Sequence, residues 1–297
     1  MKKAHCRIID TYNDFLGYWM NARFKDVNRQ IELWQTCYMK KYPELLAKQV
    51  KNYQEMNVDW QEIAKKIFPQ MRTRFELMHK ARNNILTACK PICAKASETL
   101  GLDFDMFFVV YVGIGCGAGW ATKYNAQPAV LMGLESIAEE KWHKESKLEG
   151  LMSHEVGHLM HMKWRRQWKS FEKAAEEPLF RLYCEGFAQR CEHLILQKET
   201  WHMTQDETWL SWCSQHQEWL AKEFLARLKK GAPVNDFFGS WFNIKGKKQT
   251  GYYLGHSFIR ELEKTHSLRE IALFNLDKVR KLGLQYLESA SNTTLNS

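Results

Sequence analysis

The stretch Ser153-His154-Glu155-Val156-Gly157-His158 holds the residues of this chain best suited to chemistry. Two histidines four apart on a helix stand one turn apart on one face, so both imidazoles reach a single metal ion. The glutamate between them is then placed to take a proton from a water held by that ion. Two neutral nitrogen ligands with a carboxylate base are the working parts of a zinc hydrolase. Five letters also arise by chance on a surface helix, so the surrounding elements must decide.

Ser146-Lys-Leu-Glu149 has the pattern of a capping box just upstream, which predicts a helix over about 147–164. On it Leu151, His154, His158 and His161 or Met162 share one face, and Gly157 lets a neighbouring element approach closely. A catalytic zinc normally takes three protein ligands and leaves one position open. The spacing HExxHxxGxxH fails here, because His161 stands where its glycine belongs and Trp164 where its last histidine belongs. The alternative is a glutamate on a later helix, and Glu185 supplies one. Leu179, Leu182, Tyr183, Phe187, Cys191, Leu194 and Ile195 mark that helix as largely buried. A buried carboxylate without a partner is costly, and zinc is a partner. Gly186 beside it leaves room for the two helices to approach. Glu176, Glu177 and Glu192 compete for the role, with salt bridging as the ordinary alternative for each. The favoured set is His154, His158 and Glu185 around one Zn2+, with Glu155 as the base.

The elements before the motif read as scaffold. Residues 8–100 are mostly helical by periodicity, with Ile31, Trp34, Cys37 and Tyr38 on one face and Pro43 opening a further helix. Asp59-Trp-Gln-Glu62 reads as a capping box, and Pro69 interrupts the helix it starts. The organisation expected is a helical N-terminal scaffold over 1–100 and a catalytic region over 101–297, joined in one continuous globular unit.

From Phe104 the texture changes. The run 107–112, Phe-Phe-Val-Val-Tyr-Val, is apolar, β-branched and aromatic, and reads as a buried strand. It enters the glycine-rich segment 113–119, which superficially matches a dinucleotide-binding fingerprint. That fingerprint requires a helix next. Another strand-like run, 129–134, follows instead, so a Rossmann site is rejected. Residues 129–134 are expected to form a sheet edge able to pair with an extended peptide, although a strand with a core role alone fits equally well. Glu135 beside it is a candidate anchor for a substrate amine.

Farther on, Gly251-Tyr-Tyr-Leu-Gly255 opens a helix after a basic loop over 235–250. Tyr252, Gly255, His256 and Ile259 share one side of it. Tyr252 is therefore the expected site-facing tyrosine, and its hydroxyl or the His256 imidazole is placed to donate to an oxyanion. Packing in the core is the ordinary alternative for both, and Tyr253 stays open for the same role.

Composition narrows the class. The formal net charge is +9, but lysines and arginines are spread along the chain with no nucleic-acid-binding signature, so nucleic acid is an unlikely partner. No run of about 18 apolar residues exists to span a membrane, and no signal h-region follows the basic start. Eight cysteines without such a signal suggest reduced thiols and a cytoplasmic setting.

His154-Glu-Val-Gly-His158, then Glu185-Gly-Phe-Ala188, then Gly251-Tyr-Tyr-Leu-Gly255 are similar in type and order to the HExxH, EGxA and GYxxG blocks of gluzincin-type predicted zinc-dependent proteases. The resemblance spans roughly 105–265. It implies an α+β, mainly helical fold with a zincin-like core, in which a small antiparallel or mixed sheet lies beside the HExxH helix. It also implies a peptidase-like site with His154, His158 and Glu185 as ligands and Glu155 as base. The expected function is a zinc-dependent metallopeptidase acting on a peptide or protein substrate. The alternatives are a catalytically inactive zinc-containing binding protein and, less in keeping with the residues, a basic nucleic-acid-associated protein.

Overall fold

The computed structural model describes residues 4–166, 168, 171, 174–204, 208–239 and 241–292. It is mainly helical with one small mixed sheet, in keeping with the α+β expectation. Two compact units divide the chain, 1–155 and 156–297. The division falls inside a single unbroken helix, Glu145–Arg165, whose residues are described as one element.

In the first unit, the sheet runs in the order β1 (Cys6–Asp10), β2 (Met106–Tyr111), β4 (Gln127–Gly133), β3 (Gly119–Tyr124). β1 and β4 pair parallel with β2, while β3 returns antiparallel on β4. The run from Phe108 to Val112 is completely or almost completely buried, as its unbroken apolar character requires.

Two expectations are corrected here. Residues 129–134 are not an edge, because β4 lies between β2 and β3; the edge on that side is Gly119–Tyr124. The N-terminal region is not helical from its start, because residues 6–10 form a strand.

The scaffold helices follow their sequence signals. Pro43 stands at the first position of α3 (Pro43–Glu55), and Asp59 caps α4 (Trp60–Ile67) by accepting from the Gln61 amide. A 3-10 turn containing Pro69 joins α4 to α5 (Met71–Leu100), a long helix ended by Gly101 at φ +68. Cys6 of β1 is bonded to Cys93 of α5, with Cα atoms 6.4 Å apart, so not all thiols are free as expected. Strand β1 is what carries Cys6 to that helix. The other six cysteines are free.

The glycine-rich segment is a connection between strands, as the rejection of a Rossmann site requires. Its backbone is fastened by side chains: Glu135 accepts from the amides of Gly113 at 2.7 Å and Gly115 at 3.0 Å, and Gln49 accepts from Ile114 at 3.1 Å. Tyr53 donates to the Ile114 carbonyl at 2.7 Å. Glu135 is 0% exposed, and burial raises its carboxyl above the ordinary range. It is thus a structural clamp on the loop, and its proposed role as an amine anchor is withdrawn.

In the second unit, the residues after the division continue the Glu145–Arg165 helix, and Pro178–Leu196 packs against them. Among the described residues, helices Thr208–Gln215, Gln217–Lys230, Thr250–Leu262, Leu268–Ala272 and Leu276–Ala290 follow. No helix among the described residues is long and apolar enough to cross a membrane.

Candidate metal centre

The motif helix, α7 (Glu145–Arg165), begins two residues before the expected start, so Ser146 lies inside its first turn rather than at the cap. It carries His154, Glu155 and His158 as expected. His154 and Glu155 are buried and His158 is half-buried. The glutamate helix, α8 (Pro178–Leu196), starts with Pro178 at its first position, and the Glu177 side chain caps it by accepting from the Phe180 amide at 2.8 Å. Glu177 is therefore used as a cap, and Glu176 is exposed. Both drop out as ligands.

Gly157 brings α7 and α8 together. A Cβ there would stand 2.7 Å from the Cβ of Cys191 and 3.1 Å from the backbone of Ala188. The expectation for Gly157 holds, whereas Gly186 serves a different contact. Its missing Cβ would lie 2.1 Å from the carbonyl oxygen of Gly255 on α11 (Thr250–Leu262). The glycines of the EGFA and GYYLG blocks thus face each other across one helix crossing.

With the helices so held, His158 Nε2 stands 3.3 Å from Glu185 Oε2. The ligand atoms of His154, His158 and Glu185 all lie within 4.8 Å of one another. Ligands about 2.0–2.2 Å from a tetrahedral zinc are roughly 3.3–3.6 Å apart, and the His158–Glu185 pair stands at that spacing. Two imidazoles and one carboxylate are also the donor types that zinc takes. The residues fit the group.

Glu155 is turned about 100° around the helix from His154 by its one-residue offset. Its Oε2 accepts from the Ala121 amide of strand β3 at 2.9 Å. Gly119, on the same strand, has no side chain to obstruct it: a Cβ there would fall 2.7 Å from Glu155 Cγ and Oε1. The edge strand thus seats the carboxylate with one amide and one glycine.

His161 is fully buried against Phe171, Tyr183 and Phe187, its ring 4.1 Å from that of Phe187. Burial pushes it well below the usual histidine range, so it is a neutral core residue. This agrees with rejecting the longer histidine motif.

A second group went unforeseen. His202, in the turn after α8, places Nδ1 2.7 Å from Glu192 Oε2, and both are buried. Their ligand atoms and that of His154 also lie within 4.8 Å of one another. The sequence offers Glu192 only as a competitor to Glu185. Its spacing of seven from Glu185 puts both carboxylates on one face of α8, which was the available signal. His202 sits in an aperiodic stretch and gave none.

The two tyrosines have different neighbours. Tyr252 is half-buried, with its ring 6.5 Å from that of His202. Tyr253 turns to the other side, donating to Gln217 Oε1 at 2.9 Å. His256 is buried against His193 and Trp201, with ring centroids 4.5 and 5.2 Å away. Burial depresses its pKa to about 2. Its ring contacts are with those two residues, not with the ligand set.

Comparisons with protein-family models, with curated proteins and with solved structures found no match to this chain.

Proposed function

We propose that this chain is a zinc-dependent peptide hydrolase of the gluzincin type with a zincin-like core. The observation that carries the reading is the convergence of His154, His158 and Glu185 within one ligand sphere, with Glu155 seated separately on an edge-strand amide. The first three would hold zinc; a bound zinc supplies a Lewis acid and a water acidified to a pKa of about 7. Glu155 would take the water proton and return it to the leaving amine. Tyr252 would donate its hydroxyl to the developing oxyanion. No oxyanion role falls to His256, because its ring is enclosed by His193 and Trp201.

Metal analysis joined to peptide-library profiling tests this reading. About one zinc per chain and chelator-sensitive cleavage are expected. A chain purified without stoichiometric metal, and inert toward peptides when zinc is added back, would sink it.

A second reading rests on the other group. His154, Glu192 and His202 are 2%, 0% and 4% exposed, and an enclosed ligand set is the mark of a structural zinc rather than a catalytic one. In that case the chain is a zinc-containing binding protein. Two variants separate the readings. Glu185→Ala loses the metal if zinc sits at the first set, whereas Glu192→Ala loses it if zinc sits at the second.

Gly119→Ala offers a finer check on Glu155. The added methyl displaces a carboxylate that is not one of the proposed ligands, so metal content should stay unchanged. A misplaced base costs about 10- to 100-fold in kcat, with KM little altered. Unchanged kcat would show that strand β3 does not set the position of Glu155.

A further inference from the structure

Glu192 is a fully buried carboxylate on α8, and the turn after that helix brings His202 back to it. His202 Nδ1 stands 2.7 Å from Glu192 Oε2, so a hydrogen bond joins two side chains that are both enclosed. Such a pair is costly to bury, and apolar residues of the same volume often stabilise a fold as well or better. Packing alone therefore gives no reason for it.

The turn is built to hold His202 in place. Gln197 ends α8 in the left-handed conformation, and the Lys198 amide donates to the His193 carbonyl at 3.2 Å. Gln189 Nε2 donates to the Thr200 carbonyl at 2.7 Å. The Trp201 ring packs against His193, Trp209, Tyr253 and His256. The Thr204 amide then returns to the Trp201 carbonyl at 3.2 Å. The ring of His202 is thereby set edge-on to that of Tyr252, with centroids 6.5 Å apart.

The pair's other neighbour is His154. Its ligand atom lies within 4.8 Å of those of Glu192 and His202, and it also belongs to the group with His158 and Glu185. A neutral imidazole gives a metal one lone pair, and its other nitrogen carries a proton that needs an acceptor. His154 is buried, so that acceptor must come from the protein. The spacing of seven on α8 supplies two carboxylates from one helix face, Glu185 in the ligand set and Glu192 beside the shared histidine.

We infer that Glu192 and His202 are positioning residues for His154. Glu192 accepts from the ring N–H that remains when His154 holds a metal, and His202 donates to Glu192 and fixes its orientation. A carboxylate in that place sets the angle of the ring and makes it a more basic ligand. The inference rests on the reading of His154, His158 and Glu185 as ligands, and it gives the second group a supporting role in place of an ion of its own.

Zinc affinity of the full chain, measured by competition with a chromogenic chelator, tests it. Glu192→Gln keeps the size of the side chain and removes its charge, while His202→Phe keeps a ring and removes the donor. Each variant should still take up one zinc at saturation, with affinity lowered about 10- to 100-fold. With cobalt(II) in place of zinc, the visible spectrum reports the ligands themselves, and it should match that of the wild type in both variants. Wild-type affinity in both folded variants overturns the inference and leaves the ligand reading standing. A changed cobalt spectrum, or no uptake at saturation by a folded Glu192→Gln chain, overturns it by making Glu192 a ligand. A wild-type chain that takes up no zinc sinks the ligand reading, and the inference falls with it.

Discussion

Glu155→Gln should keep its metal and its fold while losing about 10²–10⁴-fold in kcat, the range that positioned general acid–base groups supply. Glutamine preserves the size of the side chain and still offers an oxygen to the Ala121 amide, whose hydrogen bond of 2.9 Å seats the group. What disappears is the ability to take up a proton. The three proposed ligands are untouched, because Glu155 is not one of them. Metal content by elemental analysis and turnover on the best peptide from profiling should therefore separate cleanly. Retained zinc with unchanged turnover would remove Glu155 from the mechanism. Loss of zinc along with turnover would instead mean that this carboxylate supports the metal.

The asymmetry between these residues was partly legible in the sequence. Histidines four apart on a helix must share a face, and the residue after the first is turned about 100° from it; both are consequences of 3.6 residues per turn. Glu185 was legible as a carboxylate within an otherwise apolar helical face. The element that receives Glu155 was not. Gly119–Tyr124 and Gln127–Gly133 form a hairpin whose two turn residues, Asn125 and Ala126, both take positive φ. Such a turn normally announces itself with a glycine at its second position, and alanine there hides it. The sequence therefore shows one strand after a loop and puts the edge on 129–134 instead of 119–124. Strand β1 escaped for another reason. Five residues with two adjacent isoleucines carry too little alternation, and its partner β2 lies about a hundred residues away. The His202–Glu192 pair likewise joins residues that only the tertiary fold brings together.

The fold around the ligand set should prove most sensitive at Gly186. An alanine there would place its methyl carbon 2.1 Å from the carbonyl oxygen of Gly255, 2.2 Å from its carbonyl carbon and 2.8 Å from its Cα. All three are backbone atoms of a helix, so no rotamer change relieves the clash. The reciprocal substitution, Gly255→Ala, meets the Leu182 carbonyl at 2.3 Å and the Gly186 backbone at 3.0 Å. Either variant must push Pro178–Leu196 and Thr250–Leu262 apart. Overpacking a tight interface costs about 1–3 kcal/mol, and a clash with backbone on both sides belongs at or above the top of that range. Urea unfolding followed by circular dichroism should show the midpoint falling in each variant. Separation of the two helices would also carry Glu185, the residue before Gly186, away from His158, so metal affinity should fall with stability. A Gly186→Ala protein with wild-type unfolding midpoint and full metal content would show that the helices do not cross this closely. The glycines of the two blocks would then require another explanation. If both properties fall together, those glycines set the separation of the helices on which the carboxylate ligand depends.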